Sequence, residues 1–193
     1  MSIRFVKLLI LVGAVSLFSN ISRAASFTLS KGAGYQIEPI YGYETVFRDY
    51  PSNHLTTHML YGLRLTAGVD LLSVEAEYTK SSDTEDYSTA PEKIKTDDEN
   101  YKLGINSTYR FNTYFFMSGR AGAQATKETR TETSGGVDSK DEEPMKYNPY
   151  AGASLGVKLG PLSLNLNSTV IFRDATNMSK NNYQNTFSVG IGY

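Results

Sequence analysis

Apolar and polar residues alternate along most of the chain, and the alternation breaks at intervals. Phe187, Val189, Ile191 and Tyr193 occupy every second position near the end, with Thr186, Ser188, Gly190 and Gly192 between them. A period of two marks a β-strand whose faces meet different surroundings. The pattern recurs over 35–47, 57–69, 72–80, 99–110, 113–127, 146–159, 162–173 and 182–193, which predicts eight strands. Val69-Asp70-Leu71, Phe111-Asn112 and Gly160-Pro161 read as tight turns. The connections 48–56, 81–98, 128–145 and 174–181 are longer and polar. Consecutive hairpins of this kind predict an all-β, antiparallel, up-and-down barrel.

Sorting each strand by parity separates two faces. One carries Leu63 and Leu65, Val74 and Ala76, Leu103 and Ile105, Leu164 and Leu166, with no charge at the strand centres. The other carries Glu38, Glu44, Arg64, Glu75, Glu77, Lys102, Arg110, Arg120, Lys158 and Arg173, and many glycines. A charge at mid-bilayer on a lipid-facing strand costs about 2–4 kcal/mol, so a charge-free face suits lipid. Aromatic residues of the apolar parity gather at strand ends: Tyr43, Tyr78, Tyr101, Tyr147, Phe172 and Tyr183 at one, Tyr35, Tyr109, Phe115 and Tyr193 at the other. Aromatic rings collect at both interfaces of a membrane, where one edge is apolar and the other wet. Parity alone does not say which face is inside. A soluble barrel that binds a ligand in its interior has the reverse arrangement and stays open as an alternative.

The start of the chain favours the membrane. Arg4 and Lys7 precede an apolar run from Leu8 to Phe18, and Ser22-Arg23-Ala24 places small residues around a cleavage point. These features read as a signal peptide over 1–24, with the barrel domain over 25–193. The net charge is −1, and removing Arg4, Lys7 and Arg23 makes the chain more acidic, so nucleic acid is not an expected partner. There are no cysteines and therefore no disulfides or thiolate metal sites. No later apolar run is long enough for a helical span, so any span must be built from strands.

With Phe187, Val189, Ile191 and Tyr193 as a terminal insertion signal, the chain resembles the small Gram-negative outer-membrane β-barrels of the OmpA/OmpX type. Ser188 stands where that signal usually has glycine. The resemblance covers roughly 25–193 and rests on architecture. It implies an eight-stranded transmembrane barrel, inserted by the barrel-assembly machinery and in contact with outer-membrane lipid and lipopolysaccharide. It also implies a monomer, acting as an adhesin, an envelope stabiliser or a narrow channel.

An eight-stranded barrel is just wide enough for side chains to fill. The ten charges of the polar parity are therefore expected to pair inside it, and the alternative is a narrow path for small solutes. The connections 81–98 and 128–145 are rich in Asp and Glu and are expected to be flexible, acidic and open to a surface ligand. They lack EF-hand spacing, and no metal or cofactor is expected. His54 and His58 lie outside any His-x-Ser, GxSxG or HExxH pattern, so no enzymatic activity is expected.

Overall fold

In the computed structural model the described residues are 34–192, apart from 51, 89, 90 and 175. The signal-peptide reading of 1–24 and the terminal Tyr193 lie outside them. The strands are β1 (Gly34–Arg48), β2 (His54–Val69), β3 (Leu72–Asp86), β4 (Lys93–Arg110), β5 (Phe115–Ser134), β6 (Val137–Glu142), β7 (Lys146–Leu159), β8 (Leu162–Ile171) and β9 (Asn182–Gly192). Eight of them pair in a ring, β1-β2-β3-β4-β5-β7-β8-β9, and the β9–β1 and β4–β5 ladders leave it without a break in the order. Every ladder is antiparallel. β6 stands outside the ring and pairs with the far end of β5.

The turns at 70–71, 111–114 and 160–161 share one end of the barrel, called here the lower end. Gly160 supplies the left-handed backbone its turn needs, at φ 65°. The upper end departs from expectation. Most of 81–98, expected as a loop, is strand, because β3 runs out to Asp86 and β4 begins at Lys93. The stretch 128–145 holds the end of β5, a two-residue turn at Gly135 and Gly136 with φ of 57° and 78°, and β6. This region carries polar residues on both faces, and so it lacks the apolar alternation that marks a strand elsewhere. The barrel wall thus continues upward as a four-stranded sheet of β3, β4, β5 and β6.

Orientation follows from exposure. Leu103 and Leu166 are 65% and 66% exposed, whereas Glu75 and Arg64 are 0% and 3% exposed. The apolar parity faces out and the charged parity faces in. This removes the soluble ligand-binding barrel, which needs the opposite. Tyr78 and Tyr101 are register partners at the upper edge of the apolar band, with ring centroids 5.2 Å apart. Tyr109 and Phe111 meet edge to face at the lower edge, 5.3 Å apart. Ile105 lies midway between Tyr101 and Tyr109 on the outer face. Ile105→Arg should therefore cost about 2–4 kcal/mol of folding free energy in lipid vesicles. Val137→Arg, on exposed β6, should cost under about 0.5 kcal/mol. Equilibrium unfolding in urea measures both, and equal costs at the two positions contradict the lipid-facing assignment.

Candidate functional site

Strand register assembles the lumen. Glu38 on β1 lies opposite Arg64 on β2, Arg64 opposite Glu77 on β3, and Glu77 opposite Lys102 on β4. Charge therefore alternates around four neighbouring strands at one level. Arg120, on the next strand β5, reaches Glu77 past β4. Glu77 meets three cations: Arg64 at 2.8 Å, Arg120 at 2.8 Å, and Lys102. All four side chains are nearly inaccessible to solvent. A buried carboxylate is tolerable only with such compensation, because removing a charge from water costs several kcal/mol per ion.

A second layer of polar groups holds this knot in place. Arg120 pairs with Glu75 at 3.0 Å, Tyr150 donates its hydroxyl to Glu75, and the Arg120 guanidinium lies 5.2 Å from the Tyr150 ring centre. Room for Tyr150 comes from Gly104, where a β-carbon would run into the Tyr150 hydroxyl. Glu38 accepts from Arg64 at 3.1 Å and from Ser188 at 2.8 Å. Gln184 donates to Glu44 at 3.0 Å and accepts from Lys102.

Of the ten charges singled out in the sequence, Glu38, Glu44, Arg64, Glu75, Glu77, Lys102 and Arg120 are buried together. The other three are not part of this network. Arg110 is exposed at the lower end and pairs with Asp70 at 2.7 Å. Lys158 is half-buried near the same end, where its backbone N–H donates to the Tyr114 carbonyl at 2.7 Å. Arg173 is half-buried at the upper mouth, donating to the Phe47 carbonyl and reaching Asp49 at 3.3 Å. Each sits at or beyond a strand tip, where parity no longer decides between inside and outside. Of the terminal set, Phe187 and Ile191 are exposed on the outer face and Val189 is half-buried.

The upper mouth holds a second ionic cluster that the sequence reading did not assemble. Arg48 pairs with Asp98 at 2.6 Å and Glu128 at 3.3 Å. Arg130 bridges Glu128 and Glu143, each at 3.0 Å, and its guanidinium lies over the Tyr50 ring at 4.9 Å. Lys146 also pairs with Glu143. Asp98 lies above the tyrosine girdle, and burial pushes its carboxyl up to about 6 against the pull of Arg48. Asp98 and Glu128 fall in the stretches expected to be loops. Continuing the inward parity from Lys102 through Asn100, and from Gln124 through Thr126, places both on the inner face.

Neither a protein-family model nor a curated protein matches the chain. Solved structures do. The attachment invasion locus protein Ail of Yersinia pestis, in complex with the heparin analogue sucrose octasulfate, matches with a TM-score of 0.55 at 15% identity, over 83% of this chain and 97% of that one. The N-terminal β-barrel domain of Pseudomonas aeruginosa OprF gives 0.55 at 12% identity, over 83% and 97%. The outer-membrane protein OprG from Pseudomonas aeruginosa gives 0.56 at 9% identity, over 84% and 97%. At these identities the likeness is one of fold, and the fold is the eight-stranded outer-membrane β-barrel.

Proposed function

We propose that the protein is exported through its first 24 residues and works as a monomeric scaffold in a bacterial outer membrane. The barrel is sealed by its own side chains, and the sheet β3–β6 is presented at the cell surface as an interaction surface. Insertion uses the barrel-assembly machinery, and the outer face meets outer-membrane lipid and lipopolysaccharide. The observation that supports this reading is Glu77, buried among its three cations. No step of catalysis is assigned to any residue.

The surface sheet is acidic. Asp83, Glu85, Asp86 and Glu92 stand against Lys93 and Lys95 in the β3–β4 hairpin. Asp138, Asp141, Glu142 and Glu143 stand against Lys140 in and after β6. Ail binds a polyanionic heparin analogue. An acidic sheet repels polyanions and suits a cationic protein or peptide surface instead.

Two outcomes test the reading. The purified protein in planar bilayers should give no stable unitary conductance; large, reproducible channels favour the alternative of a narrow solute path. Glu77→Ala should lower unfolding free energy in vesicles by about 3–5 kcal/mol, since it leaves Arg64, Lys102 and Arg120 buried with one carboxylate fewer. A loss below about 1 kcal/mol, the worth of an exposed pair, contradicts a desolvated knot.

A further inference from the structure

The chain has two histidines, and both lie where the barrel wall loses its backbone pairing. Among the described residues, the β2–β3 ladder ends at Leu60 and Ser81. Above that point β2 continues to pair with β1 as far as His54, and β3 continues to pair with β4 as far as Asp86. The two strands are thus held in separate hairpins, and only side chains cross the seam between them. Thr56 donates to Asp83 at 2.6 Å, and His54 Nε2 lies 2.8 Å from Glu85. His58, with a side chain only 4% exposed, sits between Glu44 on β1 and Asp83 on β3, each 3.9 Å from a ring nitrogen. Among the described residues, neither ring nitrogen of His58 has a hydrogen-bond partner.

We propose that the β2–β3 seam is a pH-responsive clasp, closed while His54 is protonated against Glu85 and loosened when His54 loses that proton, with the buried His58 packed between Glu44 and Asp83 on its inner side. The seam then becomes a side entrance to the upper lumen, where Thr79, Ser81 and one oxygen of Asp98 also lack partners among the described residues. A doubly protonated His54 donates from both nitrogens, to the Ser52 carbonyl at 2.6 Å and to Glu85 at 2.8 Å. A neutral ring has one donor and leaves one of these two acceptors unmatched.

The surrounding charges set the sense of the response. The Ser52 carbonyl, and after it the Glu85 carboxylate, hold His54 above its ordinary value, against Arg48 on β1. The contribution of His54 is therefore complete below the unfolded value of about 6.5 and is lost as pH rises through the higher folded value. Tyr87 donates to Glu85, and burial with that carboxylate pushes its hydroxyl up to about 12, so it stays protonated throughout. Arg48, Lys102 and Asp98 also face Glu44, and Asp98 is the carboxyl among them that titrates near the same window.

The absence of cysteine makes the test direct. Spin labels at Leu55→Cys and Thr84→Cys, both exposed and on opposite sides of the seam, report its width in lipid nanodiscs. Their separation, read by dipolar coupling, should lengthen between about pH 5.5 and about pH 8.5, either side of the imidazole's ordinary value. The register partners Thr84 and Lys95, labelled the same way, should keep one separation. His54→Gln, at the solvent-facing rim, should abolish the change, and Asp98→Asn should preserve it. An unchanged separation across the pH range, or a change that survives the loss of His54, overturns the clasp.

Discussion

Glu77 is the group the rest of the structure is built to tolerate. A carboxylate deep in a barrel has no access to bulk water, and its charge must be answered locally. Three cations answer it, and each is fixed from a different strand: Arg64 from β2, Lys102 from β4 and Arg120 from β5. The ladder registers that bring these residues to one level are also what close the ring, so pairing of backbone and pairing of charge specify the same register. A slip of one residue on any of these strands turns its charges toward lipid and its apolar residues inward.

This coupling explains why the inner face is polar and still buried. An eight-stranded ring leaves only enough interior for side chains. Gly104 gives up its own volume to Tyr150, whose hydroxyl binds Glu75 and whose ring lies against Arg120. The space inside is shared between large charged groups and positions with no side chain at all. Beyond the girdle the structure continues as the sheet of β3 to β6, the ionic cluster around Arg48, and the seam between β2 and β3.

The ring was legible in the sequence because each crossing strand has one face for lipid and one for charge. That contrast gave the eight crossing segments, the three tight turns and the direction of Glu38, Arg64, Glu75, Glu77, Lys102 and Arg120. It failed where the contrast vanishes. Above the tyrosine girdle both faces meet water or polar side chains, so β3, β4 and β5 outrun their predicted ends and β6 has no apolar pattern of its own. The same loss of contrast misplaced Arg110, Lys158 and Arg173, which follow the inward parity but sit at or beyond strand tips. Partnership between strands that are not neighbours was not legible either. Nothing in local spacing tells that Arg120 reaches Glu77 past β4 or that Arg48 on β1 reaches Asp98 on β4, since those contacts depend on the curvature of the sheet.

The central claim is that lipid touches one parity and the charged core the other. A spin-label scan along β8 in bilayers reads this one residue at a time, through collision with oxygen, which concentrates in lipid. High oxygen accessibility at Leu162, Leu164 and Leu166, alternating with low values at Ser163, Asn165 and Asn167, is the predicted result. An inverted alternation, or none, contradicts the account.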